Sequence, residues 1–371
     1  LEYAVDANQK CSKRFIVKKN QIISLPQGPL SFLSSSFLSP LGKIRLCLEP
    51  FISRKQDNAS EETMASFVER RLGKQALDYG ANPFIGGVYA SRPESLILKH
   101  AFPRLYETER KFGSIFWGMM RGGIQPSEKL PKSRLISFQE GMQELPKRLA
   151  EKLQTPPVLG CEIKKIEIKN NGKWSVQGET QNGKIKEELF DEVISTLPSH
   201  MLLKIEWVGI KAAHHLKTLA QTFHPPLALC FQGFKRQQIQ HPLDGFGFLV
   251  PEKEKRKILG TLFSSTLFQN RAPENCALLT TFVGGERNPE FCTLPESEIM
   301  ELAYKENQKL LGIDGKPTFE HVKLWPKSIP IPDSTMDARI KAASALSLEN
   351  KGLQILGSHI NGAPLPNCMV T

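Results

Sequence analysis

No apolar run in this chain of 371 residues approaches the roughly 18 that a membrane-spanning helix needs, and its first residues carry no basic stretch followed by an apolar core. A spanning anchor is not expected, and neither is secretion. The seven cysteines (Cys11, Cys47, Cys161, Cys230, Cys276, Cys292, Cys368) are odd in number, scattered and never spaced C-x-x-C, which disfavours a disulfide framework and a structural zinc site. G-x-S-x-G, H-E-x-x-H, Walker and D-x-D patterns are equally absent. His214 and His215 are adjacent, so their rings are expected to point apart on a helix, and His224, His241 and His359 stand alone in sequence. No metal is expected, and any enzymatic role needs a cofactor to carry its chemistry.

What is present is an ordinary globular composition, 40% apolar, long enough for about two to three domains. The formal charge of +11 permits an anionic partner, yet in the densest charged run, Glu252 to Lys257, Lys and Arg are interleaved with Glu and no aromatic platform sits among them. A solvated charged loop is the expectation there, and no nucleic-acid partner.

Two short β-type runs, Phe15 to Val17 and Gln21 to Ile23, flank Lys-Asn and predict a hairpin. Pro26 to Pro50 is apolar and edged by Lys43, Arg45, Arg54 and Lys55, a pattern that fits helices lying in a membrane interface as well as helices buried in a subdomain. Asn58 to Glu61 resembles a capping box for a helix carrying Met64, Phe67, Val68 and Leu72, with Gly73 as its stop. Asn82 to Met120 has paired glycines and many aromatics, as expected where backbone passes close to another group.

Phe138, Met142, Leu145, Leu149 and Leu153 have helical spacing, and Asn-Asn-Gly at 170–172 and Gln-Asn-Gly at 181–183 punctuate an antiparallel meander. Strands are expected near 227–231, 245–250, 260–265, 277–285 and 319–325, with a helix over 296–311. In the terminal stretch, Leu353 to Leu356 forms a strand, Gly357 and Gly362 a turn, and Pro364 or Pro366 the start of a helix, a geometry that lets backbone N–H groups approach an anion.

Several of these runs, in order, carry a family resemblance: KRFIV at 13–17, LEPF at 48–51, NPFIGGVYA at 82–90, HAFPRLYETERKFGS at 100–114, STLPSH at 195–200, GFGFLVP at 245–251, LGTLFSSTLFQNRAPEN at 259–275, TTFVGG at 280–285 and the terminal turn. Together they make the sequence similar to the oxygen-dependent protoporphyrinogen oxidases, a branch of the flavin amine-oxidase superfamily. The resemblance implies an α/β (α+β) FAD-linked oxidoreductase fold with FAD as cofactor, a porphyrinogen as substrate and molecular oxygen as acceptor.

By position, the resemblance assigns a substrate carboxylate to Arg14, apolar clamping of the macrocycle to Leu249, Leu262 and Phe282, and a side-chain-free approach to Gly87. To the cofactor it assigns Ile163, Ser358, Ala363, Pro364 and Leu365, with Trp325 as an aromatic near the flavin. Arg92 departs from the family's usual acidic residue. The G-x-G-x-x-G turn for the FAD pyrophosphate does not occur in these 371 residues, so the chain is expected to be a piece of a longer protein lacking about 80 to 100 N-terminal residues and a C-terminal tail, and inactive alone.

The expected organisation is a substrate domain over 1–25 and 216–345, a helical, membrane-associating domain over 26–132, and part of an FAD domain over 133–215 and 346–371. A cytoplasmic or organellar protein resting peripherally on a membrane, able to form a homodimer, is implied. Coproporphyrinogen oxidation, a generic flavin amine oxidase and a non-catalytic remnant stand as alternatives.

Overall fold

A computed structural model describes residues 3–9, 11–54, 61–122 and 135–362. It divides into two compact units, one of residues 1–146 and 225–328, the other of 147–224 and 329–371.

The first unit is built on a sheet of β1 (Lys13–Lys18), β2 (Gln21–Ser24), β3 (Leu227–Lys235), β4 (Gly245–Leu249), β5 (Ile258–Phe263), β6 (Cys276–Gly284) and β7 (Phe319–Trp325), in the order β7-β3-β6-β5-β4-β1-β2. All neighbours are antiparallel except β4 and β1. The expected β1–β2 hairpin turns at Lys19 and Asn20, whose φ values of 52° and 60° are those of a tight hairpin turn.

Side chains alternate across this sheet. Phe15, Ala228, Phe248, Phe263 and Val283 join Ile299, Ala303 and Leu311 of the Glu296–Leu311 helix in one buried core. A polar triad sits within that layer. Asn307 Nδ2 donates to Thr281 Oγ1 at 2.7 Å, Thr261 Oγ1 donates to Asn307 Oδ1 at 2.8 Å, and the two threonine hydroxyls lie 3.1 Å apart. The alternate positions Ile16, Leu249, Leu262 and Phe282 face the other way, into a cavity.

Helices of residues 29–120 belong to the same unit. The fully buried Arg71 is held between Glu109, at 2.7 Å, and Glu49, at 3.3 Å. Glu49 in turn accepts from Ser114 Oγ and from the Ile115 and Phe116 amides at the start of the Ile115–Met120 helix. The buried cation is thus balanced by two carboxylates that are themselves hydrogen-bonded, the condition under which such a charge is tolerated.

The second unit holds a sheet in the order Ile185–Phe190, Trp174–Thr180, Cys161–Ile168, Glu206–Val208, with the expected turns at Gly172 and Gly183, and a parallel pair of Val193–Ser195 with Leu353–Ile355. Trp174, Leu202, Leu219, Leu346 and Leu353 form its core.

Three local expectations are corrected, and a fourth, the terminal helix start, falls outside the described residues. The Met64–Leu72 helix is capped by Thr63, whose side chain accepts from the Ser66 amide, while Asn58 to Ser60 lie outside the described residues. Phe138 ends a strand, Ile136–Phe138, paired with Ala4–Asp6. With 136–138 taken into that pair, the following helix is limited to Glu144–Lys152, and Leu149 on it is exposed. A helical turn, Ser358–Asn361, follows Gly357 directly, while Pro364 and Pro366, where the terminal helix is expected to begin, lie outside the described residues. His214 and His215 open a helix with their rings 4.1 Å apart rather than diverging.

Candidate active site

The five residues assigned to the substrate, Arg14, Gly87, Leu249, Leu262 and Phe282, come from five separate segments, and all line one cavity of about 580 Å³ in the first unit. Each is delivered by local structure. The β-period places Leu262 and Phe282 opposite the Thr261 and Thr281 hydroxyls of the core side. On β4 the register against β1 shifts between Gly245 and Phe248, and Gly247 takes a φ of 139°, where a side chain would collide with the Thr261 carbonyl oxygen. That bulge lets Phe246 and Leu249, three positions apart, both reach the cavity wall.

The opposite wall comes from the helical segments. Leu77–Ala81 is a π-turn that brings Tyr79 and Gly80 to the cavity, and the Asn82–Tyr89 helix that follows contributes Pro83, Phe84 and Gly87. Gly87 approaches β4 so closely that a methyl group in its place would overlap Leu249 Cδ2.

The lining is almost entirely apolar, and its titratable side chains are Arg14 and Tyr79. Arg14 is exposed, its guanidinium carbon lies 5.4 Å from the Phe246 ring centroid, and among the described residues it has no ion-pair partner. A cation with one face on an aromatic ring and its N–H fork unengaged suits an incoming carboxylate. Among the described residues no carboxylate, histidine or thiol stands on the wall as a general base, so the cavity is equipped to hold an apolar, acid-edged molecule rather than to move its protons.

Behind the wall lies a buried cation that sequence reasoning missed. Arg287, nine-tenths buried, donates from Nη1 to the Val250 carbonyl at 2.6 Å, and from Nη2 to the Asn82 carbonyl at 2.6 Å and Asn82 Oδ1 at 2.9 Å. Burial pushes its pKa down to about 10, with Glu252, 4.0 Å from Nε, acting against that shift. Glu252 also accepts from Arg92 Nε at 3.0 Å, which gives Arg92 a local role. The 252–257 run is therefore not simply solvated. Lys253 pairs with Asp78, Glu254 accepts from the Asn20 amide and Arg256 pairs with Glu306. No sequence pattern announces these pairings, because each joins distant segments.

The cofactor assignments gather less completely. Ile163 lies on Cys161–Ile168 opposite Gly178, and Ser358 opens the terminal helical turn, both in the second unit. Trp325, in the first unit, ends β7 opposite Leu227 and is 46% exposed, outside the cavity. Ala363, Pro364 and Leu365 lie outside the described residues.

Around Ser358 the structure offers features suited to a bound cofactor. Gly357 has a φ of 141°, which keeps the turn free of a side chain. Ser195 Oγ and His359 Nε2 are buried with no hydrogen-bond partner among the described residues. Ser195 pairs with Ile355 and its carbonyl accepts from the Leu356 amide, which puts its hydroxyl at the end of the parallel pair, while His359 lies in the Ser358–Asn361 turn that follows. Burial, reinforced by the charges of Arg339 and His224, pushes the His359 pKa down to about 4. Among the described residues no cluster of three or more His, Cys, Asp or Glu is placed to hold a metal.

Residues 3–361 match the family model described as flavin containing amine oxidoreductase. Protoporphyrinogen oxidase 2, chloroplastic/mitochondrial, of Arabidopsis thaliana is 32% identical over 375 residues, covering 94% of this chain and 74% of that protein. Coproporphyrinogen III oxidase of Bacillus subtilis (strain 168) is 26% identical over 357 residues, covering 95% and 74%. A crystal structure from Exiguobacterium sp. 255-15 superposes with a TM-score of 0.78 at 19% identity, over 99% of this chain and 79% of that one, and establishes likeness of fold.

Proposed function

The chain belongs to the flavin containing amine oxidoreductases, FAD-dependent enzymes, and on that premise we propose that it oxidises protoporphyrinogen IX to protoporphyrin IX with oxygen as the acceptor. The observation that carries this reading is the meeting of Arg14, Gly87, Leu249, Leu262 and Phe282 on one apolar cavity wall.

The chain's own part is positioning. Arg14 holds a propionate at the edge of the cavity, Leu249, Leu262 and Phe282 hold the macrocycle by its apolar faces, and Gly87 leaves room for it. The same lining excludes water from the carbons that lose hydrogen. Bound FAD would supply the hydride acceptor and the redox link to oxygen. Within the second unit Ile163 and Ser358 would hold it, joined by Ala363, Pro364 and Leu365 beyond the described residues.

The similarity to the Bacillus subtilis enzyme supports coproporphyrinogen III as the second substrate reading. A wall whose cationic side chain, among the described residues, is Arg14 suits a substrate with its two carboxylates on one edge better than one with four carboxylates spread around the ring. The full-length protein should purify with flavin absorbance and turn over protoporphyrinogen faster than coproporphyrinogen. Absence of flavin, with no uptake of added FAD, ends the reading, while the reverse preference selects the second substrate.

Peripheral membrane attachment belongs to the same proposal. Leu30, Leu41 and Phe51 are 84%, 77% and 82% exposed on the 29–51 helices beside Lys43 and Arg45. Among the described residues no helix is long and apolar enough to cross a membrane.

A further inference from the structure

Three of the segments that build the cavity wall converge on one side chain that does not itself line it. Arg287 follows β6 by three residues and Phe282 by five. Its Nη1 binds the carbonyl of Val250, the residue after Leu249, and its Nη2 binds Asn82, where the helix bearing Gly87 begins. Asn82 Oδ1 also accepts from the Glu252 amide at 2.9 Å, closing a loop of hydrogen bonds between the helix and the end of β4. Gly86 provides the passage, since a Cβ there would stand 2.5 Å from Nη2. The paired glycines thus have separate reasons. Gly86 admits the guanidinium, and Gly87 admits the Leu249 side chain.

We infer that Arg287 is a positioning residue that sets the gap between the Gly87 helix and Leu249, and through it the fit of the porphyrinogen in the cavity. This rests on the function proposed above. The guanidinium suits the task because its rigid fork spans backbone oxygens of two elements at once, and an ammonium cannot hold both in fixed geometry. It donates to a main-chain carbonyl on each of the two elements, so its loss leaves the helix start and the β4 end without a common anchor.

The test uses the full-length flavoprotein and the variants Arg287→Met, Arg287→Lys and Gly86→Ala. The last displaces the guanidinium without removing it, by an exchange that on an unobstructed helix would stabilise. Two readouts are taken: the Kd of a dicarboxylic porphyrin by fluorescence quenching, and amide hydrogen exchange over 82–89 and 247–251. Arg287→Met and Gly86→Ala should weaken porphyrin binding about tenfold while kcat and FAD content stay within about twofold, and both segments should exchange faster. Arg287→Lys should recover only part of the loss.

A residue serving stability alone would lower Tm and leave the Kd of the folded protein unchanged, which overturns the inference. If the unsubstituted protein binds no porphyrin and oxidises no porphyrinogen, the functional proposal fails. The positioning role is then decided by exchange: acceleration in both segments sustains it, and unchanged exchange ends it.

Discussion

Gly87 and Leu249 interlock: the leucine Cδ2 occupies the space that any side chain on residue 87 would need. Gly87→Ala must therefore push the helix or the leucine, and overpacking of this kind costs about 1–3 kcal/mol. The expected outcome is a raised KM for the porphyrinogen with FAD content unchanged, measured by steady-state kinetics and flavin absorbance. An unaltered KM removes Gly87 from the substrate wall.

Arg14 stands in solvent over Phe246 with no ion pair among the described residues, so its removal should leave the fold alone. Arg14→Ala is expected to raise KM about tenfold or more, the loss of a charge-assisted hydrogen bond, and to move Tm by no more than about 2 °C. A comparable fall in Tm would mark it as structural instead.

Asn307 makes the opposite prediction. Its amide joins the Thr261 and Thr281 hydroxyls in a fully buried triad, so Asn307→Ala removes one hydrogen bond from each hydroxyl, leaves only the one between them and opens a void. A loss of about 2–4 kcal/mol is expected from the denaturant midpoint. A loss well below that range would mean the triad adds little.

His359 ties stability to pH. Its folded pKa, pushed from 6.5 down to about 4, means that the unfolded chain binds the proton first as pH falls. Its contribution is therefore complete above about pH 6.5 and declines toward pH 4, by up to about 3 kcal/mol. Urea midpoints should fall between pH 7 and pH 5, and the decline should be shallower in His359→Leu. Equal slopes would assign the effect to other groups.

For the membrane proposal, Leu41→Glu together with Phe51→Glu should reduce co-sedimentation with anionic lipid vesicles several-fold while leaving kcat on detergent-dispersed substrate in place. Retained sedimentation would point to a different surface.

Much of the fold was legible because its signals are local. The Lys19–Asn20 turn, the 296–311 helix and the 319–325 strand follow from period and turn chemistry alone. The cavity residues were recovered through resemblance, since Leu249, Leu262 and Phe282 read in isolation as core residues. What sequence could not show is long-range. Thr63 wins the cap by its backbone conformation, 136–138 becomes a strand because residues 4–6 pair with it, and Arg287 acquires meaning only when residues 82, 250 and 252 come together.

The Thr261–Asn307–Thr281 triad also separates two burdens. A one-residue slip between β5 and β6 would send the threonines into the cavity and Leu262 and Phe282 into the core. Because the triad fastens that register from the rear, the front positions share less of the work of aligning the strands, with Phe282 contributing through its packing on Ala90, Leu227 and Leu259. Residues 262 and 282 can thus be exchanged among apolar side chains of different shape with the register kept, and the shape of the cavity can change apart from the sheet that carries it.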